Sequence, residues 1–260
     1  MEFIESNFIN TTTQISVTSN TITIENLLNK DLFYQYASDG FNNDATTSSI
    51  VFAFDSTLNV SRISLMEHNL KSYTIFYNGV TANTFQLTST AGTTASNFIT
   101  NSETSQYLII NTQPVSKITI DMKSTMVADS EKAIGYFLVS NLKMDFSRIP
   151  SSKNFKPQIV PKQIIHTLSD GGQRIQNIRD KRSWDIKFQY IDSSLQAQLF
   201  SVWDSHNPFW FVPFGTSTGW DKQLAEVIWS GPFQFYEFSD DAAPSGFSGK
   251  INIDETPNDV

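Results

Sequence analysis

Tyr73-Thr74-Ile75-Phe76-Tyr77-Asn78-Gly79 decides the fold class. Tyr73, Ile75 and Tyr77 recur at period two, the spacing that puts side chains on one face of a strand. The run stops at Asn-Gly, the strongest short hairpin signal. The same pattern extends to both sides. Ile15 and Val17, then Ile22 and Ile24, alternate with polar residues; so do Ile50, Phe52 and Phe54, followed by Ile63 and Leu65. Leu108 to Ile110, then Ile118 and Ile120, continue the pattern. Ile134, Tyr136, Leu138, Leu142, Met144 and Phe146 form a long final series on one face. Helical periodicity is nearly absent. Many short strands separated by turns predict an antiparallel β-sandwich of jelly-roll type.

Beyond Phe146 the vocabulary changes. All five Trp and eight of the nine Pro lie from Pro150 onward, whereas the 36 residues from Thr81 to Ser116 hold one charged residue, Glu103. That shift predicts two domains, a sandwich over 1–146 and a smaller β-domain over 163–260. The Pro- and Ser-containing stretch 147–162 is read as an extended connector. In the second domain Ile164 to Leu168 and Arg174 to Ile178 flank Ser169-Asp170-Gly171-Gly172, which is turn chemistry. Trp184, Ile186, Phe188 and Tyr190 alternate on a further strand. One short α-helix follows, with Leu195, Leu199 and Val202 at helical spacing. Ser193 and Gln196 fit a capping box, worth about 1 kcal/mol, and Asn207-Pro208 ends the helix. Phe209 to Phe214 reads as a dense buried strand. Glu226 to Trp229 and Phe233 to Phe238 read as two more, turned by Ser230-Gly231-Pro232. The expected class is therefore all-β with one helix.

Composition narrows the function. Hydrophobic residues make up 39% of the 260 and charged residues 17%; Asn, Ser, Thr and Gln supply the polar surface, which suits a protein held among neighbours. The 21 Phe residues are enough to fill two cores and argue against disorder. A net charge of −8 argues against nucleic acid as partner, because duplex binding rests on Lys and Arg neutralising phosphates. With no cysteine, disulfides and Cys-ligated zinc are excluded. No apolar stretch approaches the roughly 20 residues that span a bilayer as a helix. No secretory signal is visible at Met1-Glu2-Phe3-Ile4-Glu5, so the expectation is a soluble chain made in the cytoplasm.

The first half resembles the discoidin or galactose-binding-like family (coagulation factor 5/8 type C). The residues that carry the likeness are Asn26-Leu27-Leu28, Ile50 to Asp55, Val60 to Leu65, His68-Asn69-Leu70, Tyr73 to Tyr77 and a closing strand from Tyr136 to Phe146. It departs from the family in lacking flanking cysteines and a core tryptophan. The resemblance implies the fold and assigns no sugar site. The sandwich is also similar to a module of phage tail proteins in which His-Asn-Leu follows the strand. The second half resembles the small β-domain of phage distal-tail and tail-tip proteins, where a strand like Trp184 to Tyr190 precedes a short helix and an aromatic strand ending in Pro. Together these imply a structural component of a phage tail tip or baseplate, localised to the virion. Its expected partners are other tail proteins and further copies of itself in a homo-oligomeric ring. The alternative is a carbohydrate- or receptor-binding module that takes a host glycan through Tyr34-Gln35-Tyr36 and Asn42-Asn43.

No catalytic set emerges, so a non-enzyme without cofactor or metal is expected. Gly215-Thr216-Ser217-Thr218-Gly219 spells the nucleophile-elbow motif, but that chemistry needs a strand-to-helix turn over a parallel sheet. A small-residue loop is the plainer reading. His68, His166 and His206 are not spaced as a metal pair. Asp240-Asp241, Asp254-Glu255, Asp39 and Asp44 are read as solvated acids before calcium ligands. One cluster stands out on this acidic chain: Arg174, Arg179, Lys181, Arg182 and Lys187, a candidate interface, because arginine's planar fork pairs carboxylates bidentately. A solvated hairpin is the bland alternative.

Overall fold

The computed structural model describes residues 1–260 except 20–21, 31–33, 40–42, 79–93, 147–154, 168–171, 214–223, 241–242 and 257–260. The chain is all-β with one α-helix and divides into two compact units. One centres on Ile4–Lys143; the other joins Met1–Phe3 to Met144–Gly215 and Leu224–Pro257.

The first unit is the sandwich. Its strands are β2 (Gln14–Val17), β3 (Tyr36–Ala37), β4 (Ser48–His68), β5 (Leu70–Asn78), β6 (Thr94–Phe98), β7 (Gln106–Thr125) and β8 (Ala133–Ser140), in the order β3-β8-β4-β7-β5-β6 with β2 on β4. All pairings among them are antiparallel. The strands expected at Ile50 to Asp55 and at Val60 to Leu65 are one strand, β4. It is buried at both ends and exposed in the middle, where the polar run Asp55-Ser56-Thr57 coincides with a register shift. One arm of β4 pairs with β2 and with residues 117–122 of β7; the other pairs with β8 and with residues 106–115 of β7. The bulged middle lets a single strand serve two sets of neighbours. The strands converge inside: Phe52 of β4 and Phe137 of β8 pack with ring centroids 4.9 Å apart, in a core with Ile50, Ile63, Tyr73, Ile75, Ile118 and Ile120.

Asn7 ties the entering chain to this sandwich. Its Oδ1 accepts from the amides of Ile9 and Val139, and its Nδ2 donates to the Tyr136 hydroxyl and the Phe137 carbonyl. Asn26-Leu27-Leu28 forms a 3-10 turn over Ile24–Leu28, with Leu27 in the core. Asn78-Gly79 does not close a two-residue hairpin. Tyr77 pairs with Thr94, so the pair opens a long connection outside the described residues.

The second unit contains β1 (Glu2–Ile4), β9 (Leu142–Asp145), β10 (Phe155–Thr167), β11 (Gln173–Ile191), α1 (Ser193–Ser205), β12 (Phe209–Val212), β13 (Ala225–Trp229), β14 (Gln234–Asp240) and β15 (Ala243–Glu255). The sheet runs β10-β11-β15-β13-β12-β1-β9, with β14 also on β15. The long period-two series from Ile134 to Phe146 is therefore two strands in two sheets, broken at Asn141. On β8 nearly every residue is buried, and Phe137 and Val139, not Tyr136 and Leu138, join the main cluster. Residues 155–162, expected within the connector, are the first part of β10. Prolines are tolerated there because β10 is an edge strand with one side unpaired.

The core of this unit is aromatic. Phe3 packs on Phe146 at 4.8 Å and on Phe209 at 4.6 Å, and Trp184 meets Phe211 edge-on at 5.3 Å. Leu199 and Val202 of α1 complete it. The helix starts one residue earlier than the capping box implies: Asp192, not Ser193, is the N-cap, its carboxylate accepting from the Leu195 amide at 2.7 Å. His206 ends it in the left-handed conformation at φ 52°.

Candidate functional site

β10 and β11 pair in register from Phe155↔Ile186 to Thr167↔Gln173, with one irregularity at Lys162/Gln163. β15 covers only part of β11, from Ser183 to Ile191. Among the described residues Gln173 to Arg182 therefore pair with β10 alone and form a two-stranded ribbon past the body of the sheet. At about 3.3 Å per residue those ten positions reach about 30 Å. An isolated two-stranded ribbon is marginal by itself.

The structure does not gather the five candidate cations into one patch. Arg174 is exposed at the far end of the ribbon, opposite His166. Arg179 pairs in register with Lys162 midway along. Lys181 and Arg182 stand at the root and are engaged inside the unit. Lys181 Nζ lies 2.9 Å from Asp254. Arg182 donates from Nε (3.1 Å) and Nη2 (2.7 Å) to Glu255 Oε1 and from its backbone amide (2.9 Å) to Oε2. Its Nη2 also donates to the Leu224 carbonyl at 3.2 Å, and the guanidinium lies 5.7 Å from the Trp184 ring centroid. Lys187 lies back on the sheet, exposed and directly opposite Lys250. Thirteen residue-to-residue steps along the strand separate Arg174 from Lys187, about 43 Å.

Asp254-Glu255 thus serve as the carboxylate ends of two ion pairs. Burial would raise the Asp254 carboxyl, but hydrogen bonds from Lys181 and Ser183 and the Lys181 charge outweigh it and hold the group below its ordinary range. Asp44 is likewise spoken for: its Oδ1 accepts from the Thr125 amide and hydroxyl, and its amide donates to Asp129. Among the described residues no group of three His, Asp or Glu side chains could hold a metal. Asp39 is exposed, Asp240 lies in β14, and Asp241 is outside the described residues. So are Asn42 and the whole of Gly215 to Gly219, Ser217 included.

The proposed sugar-facing loop divides. Tyr36 is fully buried and donates its hydroxyl to the Ser19 carbonyl, Gln35 reaches the Glu67 carbonyl, and Asn43 Oδ1 accepts from the Ala45 amide. Tyr34 alone of the pair of tyrosines is open, at 51% exposure.

Sequence reasoning passed over the apolar residues of the ribbon. Ile159 is 70% and Val160 44% exposed, opposite Arg182 and Lys181. The available signal was Pro157-Gln158-Ile159-Val160-Pro161, a β-favouring pair between prolines, which is how edge strands read.

No protein-family model and no curated protein sequence matches the chain. Among solved structures it is similar to a variant of chitosan-binding module 1 of a chitosanase/glucanase from Paenibacillus sp. IK-5, at 13% identity and a TM-score of 0.42, covering 53% of this chain and 99% of that one. It is also similar to CpGH89CBM32-6 from Clostridium perfringens (15%, TM-score 0.38, covering 52% and 98%). A third is the lectin binding domain of lectinolysin complexed with Lewis b (10%, TM-score 0.40, covering 53% and 98%). Each spans about half of this chain, and likeness of this size assigns no ligand.

Proposed function

We propose that this chain is a non-enzymatic structural subunit of a bacteriophage tail tip or baseplate, built into a ring or hub by contacts between copies and carrying the sandwich as an appended module. The β10–β11 ribbon carries this reading. It extends an open strand edge beyond the sheet, with exposed Ile159 and Val160 at its root, and such an edge pairs readily with another chain. Charge supports a second copy as that chain. Between Phe155 and Ile191 seven Lys and Arg stand against three acids, while the rest of the chain has eleven against 23. A basic arm on an acidic body is two unlike surfaces, which is what the heterologous contact of a closed ring requires. Exposed ion pairs add about 0 to 1 kcal/mol each, so they set orientation and on-rate while apolar burial supplies affinity. The order β11, α1, β12, with Pro213 directly after the aromatic strand, also fits the tail-protein resemblance.

The test replaces two cations of the ribbon, Arg174 at its far end and Arg179 midway along it. Arg174→Glu with Arg179→Glu should leave the circular dichroism of the purified chain unchanged and lower its incorporation into tail particles at least tenfold. Incorporation at the wild-type level by the folded double variant would sink the assembly role of the ribbon.

A second reading, glycan binding by the sandwich, is favoured by Tyr34, a half-exposed ring next to the 3-10 turn that Asn26 ties to the Gln35 carbonyl. Ring stacking of about 1 to 1.5 kcal/mol corresponds to roughly tenfold in affinity. A glycan array should then give a hit that Tyr34→Ala weakens by that factor; no hit, or a hit indifferent to Tyr34, removes this reading.

A further inference from the structure

We infer that the corner between β4 and β5 is an acid-operated latch, in which protonation of His68 releases the segment Asn101–Ser105 from the sandwich. His68 is 2% exposed. Its Nδ1 accepts from the Leu70 amide at 3.1 Å, so in the neutral ring the proton sits on Nε2, as that hydrogen bond assigns it. Nε2 is buried with no hydrogen-bond partner among the described residues, and so is the hydroxyl of Tyr73, whose ring lies edge-on to His68 at 5.3 Å and stacks on Phe98 at 4.5 Å.

Around the ring the backbone turns sharply and is stapled from two sides. Glu67 has φ 48°. On one side the Glu67 amide donates to Ser105 Oγ, the His68 amide to the Thr104 carbonyl, and Asn101 to the Lys71 and Leu70 carbonyls. On the other, Asn69 exchanges hydrogen bonds with Ala133 and donates to the Glu131 carbonyl. A proton on Nδ1 sets N–H against the Leu70 N–H and places a charge where nothing balances it. Tyr73 of β5 is the titratable group that faces the ring. Glu67 on its own strand, Lys71 of β5, Glu103 of the released segment, and Glu131 and Lys132 ahead of β8 are its charged neighbours along these elements. None of them bonds the ring among the described residues.

The direction is fixed by burial alone, which lowers the imidazole from 6.5 to about 4. A released corner would titrate near the ordinary value. Between those two pH values the released form binds more protons than the closed one, so closure is fully favoured above about 6.5 and is lost progressively as pH falls toward 4. The nearest exposed consequence is the corner itself, since its amides lose their acceptors when the segment leaves.

Hydrogen exchange of the whole chain at pH 7.5 and 4.5, corrected for intrinsic rates, reads this directly. The amides of Glu67, His68, Leu70 and Asn101 should lose protection on the order of 50-fold, while those of β7 hold. His68→Asn keeps an acceptor for the Leu70 amide and cannot titrate, so its protection should be flat with pH. If that variant does not fold, imidazole nitrogen shifts of the unmodified protein decide: an Nε2–H tautomer with a midpoint near 4 supports the latch, and an ordinary midpoint overturns it. Unchanged protection, equal loss in His68→Asn, or simultaneous loss throughout β4, β5 and β7 would each overturn it as well.

Discussion

Gly249→Ala is expected to lower the stability of the C-terminal unit by about 2 to 4 kcal/mol and to detach β14 from β15. In register, Gly249 of β15 faces Phe188 of β11 on one side and Phe235 of β14 on the other. The two rings approach to 6.1 Å across it. An added methyl would press on the Gln234 carbonyl oxygen and lie 2.5 Å and 2.6 Å from Cδ1 and Cγ of Phe235. The carbonyl cannot yield without moving the strand that bears it, and the ring is wedged between Phe188 and Phe233. A glycine bare enough for flanking aromatics to cover is thus the condition for three strands to meet there. Gly231→Ala is the control, since the atoms nearest its methyl would be those of Asn252 at 3.4 Å or more and it should cost under about 1 kcal/mol. Denaturant unfolding with a near-ultraviolet aromatic signal measures both; equal midpoints for the two variants would refute the packing argument.

Arg182→Glu should cost about 3 to 4 kcal/mol and Arg182→Ala about 2 kcal/mol, because the side chain is a structural tie at the ribbon's root. Its fork grips Glu255, a carboxylate whose side chain is 21% exposed, and it adds a bond to the Leu224 carbonyl and a contact with Trp184. Alanine leaves the carboxylate underpaired; glutamate sets two like charges at that spot. Arg182→Ala with Glu255→Gln should recover part of the loss, as a coupled pair does in a double-mutant cycle. Additive losses, or an unchanged unfolding midpoint for Arg182→Glu, would show the tie to be superficial. The practical result concerns assembly: a charge reversal at Arg182 confounds folding with docking, whereas Arg174 stands exposed at the far end of the ribbon.

Much of the architecture was legible where one residue's neighbours along the chain decide its fate. Period two marked β5 and the core strand Trp184 to Phe188, helical spacing marked α1, and Ser230-Gly231-Pro232 marked the turn from β13 to β14. Three features were hidden because distant partners decide them. Pro157 and Pro161 read as connector, yet an edge strand leaves one row of backbone groups unpaired and accepts them. Ile50 to Asp55 and Val60 to Leu65 read as two separate strands, yet Asp55-Ser56-Thr57 is the exposed, irregular middle of one long strand. Asn78-Gly79 read as a tight turn, yet the strand pairing with Tyr77 begins only at Thr94. At the candidate surface the cations were visible as letters, but Lys181 and Arg182 find Asp254 and Glu255 some 73 residues away, a pairing that no local pattern encodes.

The placement of β1 has a consequence for how the protein is made. Glu2–Ile4 lies between β12 and β9, in the interior of its sheet, with Phe3 fully buried. β12 begins at Phe209, so during synthesis the first strand can meet β9 once Leu142–Asp145 has emerged but must wait for about 200 further residues before its other neighbour leaves the ribosome. At about 5 to 20 residues per second that delay is roughly 10 to 40 s. All of the sandwich emerges within it. The second unit can close only after the first has been threaded out between its own opening strand and the rest, so a nascent chain stalled before Phe209 carries an apolar strand that β9 covers on one edge only, leaving the other edge for chaperones or a second nascent chain to seize.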